Sequence, residues 1–158
     1  MDITEVCQEA RNYFAPAGKR GDMSYIHDGT YTISGHSVSP LDFIAEGQYF
    51  RICGSTANDG VYCNTEQGRA TLTNETFEGQ IWEMSVPRAF LALCAEIQQW
   101  RNANEAADSA NMSPFQSESF AGYSYSKGGS SASGGGNGVT WQTQFEKRLS
   151  AWRRIRIL

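Results

Sequence analysis

The residues of this chain that could perform chemistry are few, and their spacing does not combine them into a recognisable set. Four cysteines are spread over 158 residues without a Cys-x-x-Cys pair, and only His27 and His36 accompany them. This distribution does not have the ligand spacing of a zinc site. We therefore expect reduced, buried thiols and no metal site, although Cys53 and Cys63 could face each other on neighbouring strands.

The sequence also lacks an arrangement typical of an enzyme. The serines have no Gly-x-Ser-x-Gly elbow, and the glycine-rich stretch Gly128–Gly138 lacks the lysine of a phosphate-binding loop. Asp22, Asp28, Asp42 and Asp59 fall in turn-like contexts, where a short carboxylate commonly bonds the local backbone. We expect a protein that is not an enzyme, with no catalytic or cofactor-binding residues.

Aromatic residues are concentrated between residues 21 and 84. Together with Arg51 and Arg69 they could form a stacking platform for single-stranded nucleic acid on a small barrel. The same segment carries nine carboxylates, which repel phosphates, so we favour the interpretation that the aromatic side chains fill a core. The residues concerned are Tyr25, Tyr31, Tyr49, Phe50, Tyr62, Phe77 and Trp82.

Hydrophobic periodicity divides the first half of the chain into a helix and a sheet. Residues 3–15 have apolar side chains at helical spacing and predict an N-terminal helix. Residues 21–84 show short apolar runs separated by turn residues, with hairpin signals at Asp28-Gly29 and Asn58-Asp59-Gly60. We expect four to six short strands that close into a small sheet or barrel.

The second half of the chain predicts helices and a flexible tether. One helix should begin at Val86-Pro87 and run to about Asn102, and a short one should follow from Ser113 to Phe120. Lys127–Gly138 is made almost wholly of small and polar residues and predicts a flexible segment. Thr140 can then cap a final helix. That helix carries Trp141, Phe145, Leu149 and Trp152 on one face.

These elements predict an α+β chain, in which a small helical bundle has an inserted small antiparallel β-sheet or barrel and an extended C-terminal arm. The N-terminal helix lies in residues 1–20 and the inserted β-rich module in residues 21–84. A helical core in residues 85–126 is followed by a Gly/Ser-rich loop in residues 127–139. The C-terminal helix and its docking arm occupy residues 140–158.

Charge is distributed unevenly along the chain. The net charge is −4, but residues 147–158 carry five basic and no acidic side chains, so the remainder carries −9. A basic tail with aromatic and branched residues on an acidic body predicts a docking element for an acidic partner or nucleic acid. The alternative is a solvated helix end whose charges complement the helix dipole.

Nothing in the sequence predicts a membrane segment or a leader. No apolar run approaches the roughly 20 residues that span a bilayer. The first residues lack the basic and apolar regions of a secretory signal. We therefore expect synthesis in the cytoplasm and no membrane partner.

The end of the chain carries a short motif, then a loop and a basic, aromatic segment. The motif residues are Glu118, Ser119, Gly122, Tyr123, Ser124 and Tyr125. The terminal segment consists of Trp152, Arg153, Arg154, Ile155, Arg156, Ile157 and Leu158. Together with the N-terminal helix and a helix such as Phe90–Trp100, this order resembles that of the head–tail connector proteins (adaptor or head-completion proteins) of long-tailed bacteriophages.

The likeness touches most of the chain. Residues 47–62 and 76–82 are similar to the β-rich insertion of some members of that family. Phe120 and Ala121 depart from the motif, in which a polar residue or a glycine is commoner. The resemblance implies a structural virion protein without cofactors, assembled as a ring, typically dodecameric, that extends the DNA channel and enables head–tail joining.

The resemblance also implies partners and a location. The partners would be the portal protein, a stopper or tail-completion protein, further copies of the chain, and genomic DNA that passes through the lumen without sequence recognition. The terminal segment would dock to the portal, where Ile155 and Ile157 could pair along a portal strand. The protein would reside in the head–tail neck of the virion after assembly in the host cytoplasm. Two alternatives stay open: a tail-terminator or minor tail ring protein, and a small nucleic-acid-binding module.

Overall fold

The computed structural model describes residues 3–105, 117–120, 123–126 and 139–154. Within these residues the chain forms three helices and seven strands. The prediction of an α+β fold that includes a small antiparallel sheet is confirmed.

Two compact units divide the chain. The sheet unit comprises Asp2–Leu91 and Trp152–Leu158, whereas the helical unit comprises Ala92–Ala151 together with Met1. Residues 152–154, which are described near the end of the chain, therefore belong to the same unit as residues 3–91.

The sheet unit contains a curled, five-stranded antiparallel sheet that forms half a barrel. In space the strands follow the order β2-β1-β5-β3-β4. Their bounds are β1 Ile26–Ser34, β2 Ser37–Ser39, β3 Tyr49–Cys53, β4 Gly60–Cys63 and β5 Glu75–Glu83. This sheet agrees with the four to six strands that the sequence predicts.

Alternation of apolar and polar side chains buries one face of this sheet. Along β1, Tyr31 and Ile33 are buried while Thr30 and Thr32 are exposed. β-branched and aromatic residues suit such a half-buried pleated surface. The core cluster consists of Tyr31, Ile33, Val38, Ile44, Phe50, Ile52, Leu72, Phe77 and Ile81.

Of the two predicted hairpin signals, one is confirmed and the other is wrong. The β1–β2 turn lies at neither of them but at Gly35 and His36, whose φ angles of 54° and 66° suit the tight turns of antiparallel hairpins. The prediction of a turn at Asp28-Gly29 is wrong, because both residues lie inside β1 and pair with β5. Asn58-Asp59-Gly60 does lead from β3 into β4.

Helix α1, Ile3–Ala10, packs against β4. Its buried residues are Val6, Cys7 and Ala10. The Thr4 hydroxyl accepts a hydrogen bond from the Val61 N–H at 2.8 Å. Because β4 is an edge strand, this contact covers a donor that could otherwise pair with another chain.

Helix α1 ends before the predicted boundary at Ala15. Arg11 has a φ of 50°, in the left-handed region, which stops the helix. Asn12 Oδ1 then accepts a hydrogen bond from the Phe14 N–H at 3.0 Å. Such local side-chain bonds compete with helix formation, and the resulting bend buries Phe14 in the sheet unit.

Helix α2, Arg88–Asn104, begins in the sheet unit and continues into the helical unit, where α3, Trp141–Ser150, also lies. Glu96 forms an ion pair with Arg148, and one helical turn later Trp100 meets Phe145 edge-on at 6.3 Å. From the first contact to the second, the residue number increases along α2, from Glu96 to Trp100, and decreases along α3, from Arg148 to Phe145. In the helical unit, α2 and α3 are therefore antiparallel neighbours.

Helix α3 begins where the sequence predicts. The Thr140 hydroxyl accepts a hydrogen bond from the Thr143 N–H at 3.3 Å, which satisfies one of the free donors of the first turn. Trp141, Phe145 and Leu149 are buried, as their four-residue spacing predicts. The prediction that Trp152 continues this helical face is wrong, because α3 ends at Ser150.

A two-stranded antiparallel hairpin completes the helical unit, with β6 at Ser117–Phe120 and β7 at Tyr123–Ser126. The predicted extended conformation at Tyr123–Tyr125 is confirmed. The predicted helix from Ser113 to Phe120 is wrong over its last four residues, which form β6. Pairing with β7 supplies a hydrogen-bond ladder that a local helix signal does not reveal. The predicted flexible segment, 127–138, lies outside the described residues.

Candidate functional site

The predicted docking arm begins inside the sheet unit. The half-buried ring of Trp152 lies edge-on to Phe90 and to Phe14, with centroid distances of 5.5 Å and 6.0 Å. Phe14 and Phe90 also touch, at 4.6 Å. Aromatic pairs of this kind contribute about 0.5–1.5 kcal/mol each beyond the burial of their area. Three rings from distant parts of the chain thus form one cluster.

Polar contacts hold the same segment to the end of α1. The Asn12 side-chain amide donates to the Trp152 carbonyl oxygen at 2.9 Å. Arg153 Nη2 lies 3.1 Å from Glu9 Oε1, but both side chains are partly exposed, so this ion pair adds little stability. The aromatic cluster and the amide bond are therefore the main attachment.

Arg154 is the last residue that the structure describes. Its N–H donates to the Ala10 carbonyl oxygen at 3.4 Å, a long hydrogen bond. The other predicted docking residues, Ile155, Arg156, Ile157 and Leu158, lie outside the described residues. Of the predicted arm, the described part contacts the N-terminal segment of its own chain.

The family-like motif falls on the β6–β7 hairpin. Glu118 and Ser119 of β6 pair with Tyr125 and Ser124 of β7. The remaining motif residues are Tyr123, which begins β7, and Gly122, which lies outside the described residues. Backbone pairing therefore brings the two halves of the motif together in one ladder.

An arginine–aromatic corner, which sequence analysis did not predict, lies on the face of the sheet opposite the core. Arg51 Cζ is 3.8 Å from the centroid of the Tyr13 ring and 4.5 Å from that of Trp82. The two rings are nearly perpendicular, at 80°, with centroids 5.9 Å apart. Arg51 and Trp82 are directly paired across β3 and β5, whereas Tyr13 follows α1.

The guanidinium of Arg51 has aromatic neighbours in this corner. Within the described part of the chain, no group accepts a hydrogen bond from this guanidinium or forms an ion pair with it. Burial raises the pKa of the Tyr13 phenol and of the nearby Cys53 thiol, and the positive charge of Arg51 opposes both shifts. All three side chains of the corner are half-buried, so the site is partly open to solvent.

An ion cluster forms around a buried carboxylate, Glu83, at the end of β5. The Glu83 carboxylate contacts Lys19 Nζ at 2.8 Å and His27 Nε2 at 2.7 Å. The His27 ring stacks on Phe43 with a centroid distance of 3.9 Å. Burial alone would raise the pKa of Glu83, but hydrogen bonds from Lys19 and His27 bring it below its usual range. The cluster joins the segment after α1 to β1 and β5.

A second carboxylate organises the loop between β3 and β4. Glu75 accepts hydrogen bonds from the Ser55 hydroxyl, from the Thr56 N–H at 2.9 Å and from the Asn58 side-chain amide at 2.8 Å. These bonds lower the pKa of Glu75, with the Ser55 hydroxyl as the largest cause. The buried Asn58 side chain also accepts the Thr73 N–H at 2.8 Å. These polar groups are used to hold the loop.

The cysteines are free thiols. Cys53 and Cys63 do not face each other, because Cys63 pairs with Tyr49 at one end of β3 and Cys53 lies at the other end. Burial raises the pKa of the Cys94 thiol to about 11, so little reactive thiolate forms at neutral pH. Among the described residues, no three His, Cys, Asp or Glu side chains are grouped as metal ligands.

Most aromatic residues of the sheet are used in packing. Tyr25, Tyr31, Phe50 and Phe77 are buried, whereas Tyr49, Tyr62 and Trp82 are half-buried. Arg69 Nε donates to the Thr65 carbonyl oxygen at 3.2 Å. The interpretation that the aromatic side chains fill a core is therefore confirmed for the four buried residues, whereas Trp82 lies on the opposite face of the sheet.

Comparison of the chain with protein-family models, with curated proteins and with solved structures finds no match. Among the helices that the structure describes, none has the length and apolar character needed to cross a bilayer.

The sequence did not predict the arginine–aromatic corner, because strand pairing alone joins two of its residues, Arg51 and Trp82. Strand alternation alone places Arg51 on the face opposite Phe50 and Ile52, and Trp82 on the face opposite Ile81. It does not reveal which strands are neighbours. Only the β3–β5 register brings Arg51 and Trp82 together.

Proposed function

We propose that this chain is a structural, non-enzymatic virion protein that forms a ring between the portal and the tail or stopper of a long-tailed bacteriophage. The motif and order of elements that resemble head–tail connector proteins support this function. The observation in the structure that carries it is the anchoring of the C-terminal segment at Trp152. A docking arm transmits force and position only if its base is held by the folded subunit.

The arm in this proposal starts at Ile155. Trp152 is held by Phe14 and Phe90, and the Asn12 amide holds its carbonyl. Residues 152–154 are thereby held in the sheet unit. The alternation of Ile155, Arg156 and Ile157 suits strand addition on a partner, since backbone bonds give affinity and alternate side chains give specificity. The partner of the arm is the portal protein.

The helices supply the ring-forming part in this proposal. Antiparallel packing of α2 and α3 in the helical unit suits a small helical bundle, with the motif hairpin between them in sequence. Further copies of the chain and a stopper or tail-completion protein are the other partners. No cofactor is required, because assembly alone is the function.

The charge of the β-rich module, here called the sheet module, supports the passage of DNA without recognition. Residues 22–83 carry nine acidic and two basic side chains, a net charge of −7 with histidine neutral. Such a surface repels phosphates, so duplex DNA would slide past it without binding. Location in the virion neck follows from these partners, with assembly in the host cytoplasm.

The proposal is tested by attachment to DNA-filled capsids that lack tails. The full chain should attach at a single vertex, and a chain truncated after Arg154 should not. This truncation keeps Trp152 in place and therefore removes only the arm. A Trp152→Phe variant of the full chain, which keeps an aromatic ring at the anchor, is the matched control and should attach.

Two outcomes would contradict the proposal. Equal attachment of the full and truncated chains would remove the arm from portal docking. Absence of attachment, together with binding to isolated tail tubes, would make the protein a tail-terminator or minor tail ring protein instead. Salt-sensitive binding to oligonucleotides, without either attachment, would favour a nucleic-acid-binding module.

A further inference from the structure

The arginine–aromatic corner has the features of a binding site whose ligand comes from outside the domain. Arg51 lies between two rings that limit its rotation, at 3.8 Å from Tyr13 and 4.5 Å from Trp82. Cation–π contacts of this kind hold a guanidinium by its face and leave its N–H groups at the edges. A guanidinium with this support loses little entropy when it binds a ligand.

The donors of Arg51 are unused by the described part of the chain. The other arginine of the sheet module, Arg69, is engaged, because its Nε donates to the Thr65 carbonyl oxygen. Arg51 has no such bond or ion pair among the described residues. Its edge therefore offers paired N–H donors on a partly open surface, which is the geometry that planar, bidentate oxyanions fit.

The surrounding charge selects a carboxylate over a nucleic-acid phosphate. With nine acidic and two basic side chains over residues 22–83, the module would repel a polyanionic backbone. A single carboxylate side chain brings one negative charge to the corner, and two parallel hydrogen bonds from the guanidinium compensate its desolvation.

A second copy of the chain carries such carboxylates in abundance. The chain has 17 acidic residues, and Asp42, Glu46 and Glu78 are exposed on the sheet unit. Two copies with acidic sheet modules repel each other unless a cation lies at their contact. Within the described residues of the module, Arg51 is the cation that is not bonded to its own chain.

We propose that the corner formed by Tyr13, Arg51 and Trp82 binds an acidic side chain of a second copy of this chain, as part of the contact between ring subunits. This inference rests on the proposed ring function. It adds the position of one subunit contact, and it assigns to Arg51 a role that does not involve the C-terminal arm.

The test compares self-association of the full chain with that of three variants by sedimentation velocity at low ionic strength. Arg51→Gln should weaken self-association at least about tenfold, because it removes one charge-assisted pair. Arg51→Lys keeps the charge but loses the planar fork, and should weaken self-association severalfold. Arg88→Gln removes a positive charge from an exposed residue at the start of α2 and should change it less than twofold.

Thermal unfolding of each variant checks that the fold is retained. A titration with sodium acetate tests directly whether the corner binds a carboxylate. The NMR signal of the Arg51 side chain reports binding, and a titration with sodium chloride at equal ionic strength is the control. A saturable, acetate-specific shift is expected in the wild type. It should be lost in Tyr13→Leu, which keeps Arg51 but removes one wall of the corner.

Several results would overturn the inference. The inference fails if the wild type stays monomeric at all concentrations or if Arg51→Gln and Arg88→Gln self-associate equally. It also fails if the Arg51 signal shows no specific response to acetate. Stronger binding of an oligonucleotide than of acetate at Arg51 would make the corner a nucleic-acid site. Vertex attachment separates the two proposals: if Arg51→Gln attaches with full occupancy, the ring function stands and the role of Arg51 fails.

Discussion

Glu83 is a buried carboxylate whose two oxygens are shared between Lys19 and His27. Its exposed fraction is only 6%, so it relies on these partners in place of water. The pairing joins residues that are far apart in the sequence. At the scale of the residue, the stability of the sheet unit is therefore sensitive to the charge of one side chain.

Replacement of Glu83 by glutamine should lower the free energy of unfolding by about 2 kcal/mol at neutral pH, because it removes charge-assisted bonds and leaves Lys19 without its counter-charge. Chemical denaturation measures this loss. Glu78→Gln is the matched control, since Glu78 is exposed on the same strand. A loss of the same size in both variants would show that the ion cluster is not responsible.

The pH dependence of Glu83 has a defined sign. Its pKa is lower in the folded protein than the usual value, so its contribution is complete above the pKa of the unfolded chain. The contribution disappears as the pH falls through the folded-state pKa. We expect the difference in the free energy of unfolding between wild type and Glu83→Gln to shrink in acid. A difference that stays constant until the Glu83 carboxylate is fully protonated would contradict this.

Strands β3 and β5 approach each other closely at Gly79. A Cβ atom there would lie 2.2 Å from the Cys53 carbonyl oxygen, which is far inside van der Waals contact. Gly29 is paired with Gly79 in the β1–β5 register, yet a Cβ at Gly29 would meet the Tyr31 ring at an ordinary 3.7 Å. At the scale of the element, the packing of the strands therefore requires a glycine at position 79 but leaves room for a Cβ atom at position 29.

Gly79→Ala should therefore destabilise the protein by about 3 kcal/mol, since the β3–β5 pairing must shift to admit the methyl group. Gly29→Ala should change stability by less than about 1 kcal/mol and can stabilise the strand through reduced entropy of the unfolded chain. Urea unfolding of both variants decides the matter. Similar effects in the two variants would mean that the close approach is readily relieved.

The C-terminal segment is attached to the sheet unit through Trp152, although the residues directly before it, Ala92–Ala151, belong to the helical unit. The ring contacts Phe14 and Phe90, and its carbonyl accepts from Asn12. For the molecule as a whole, this attachment holds residue 152 against the sheet unit and thereby sets the starting point of the proposed arm.

Trp152→Ala should lower the free energy of unfolding by about 2 kcal/mol, less than for a fully buried tryptophan because the ring is half-exposed. It should also impair vertex attachment even though residues 155–158 are intact. Trp152→Phe should retain most of the stability. Denaturation together with the attachment assay checks both effects, and normal attachment by Trp152→Ala would remove the anchor from the proposed mechanism.

Local patterns were sufficient for the features that depend on near neighbours. Short apolar runs separated by turn residues predicted four to six strands in residues 21–84, and the four-residue spacing from Trp141 predicted the buried face of α3. Thr140 was recognisable as a cap because capping involves residues within one turn. These properties are determined by side-chain type and backbone preference over a few residues.

Tertiary structure alone decided the features that depend on contacts between distant segments. The strand at Ser117–Phe120 and the corner around Arg51 each need a partner that the local sequence does not specify. The same is true of Trp152, which looked like the start of a free arm and instead packs on Phe14 and Phe90. Local preference is worth tenths of a kcal/mol to about 1 kcal/mol per residue, so cross-strand pairing and aromatic packing override it.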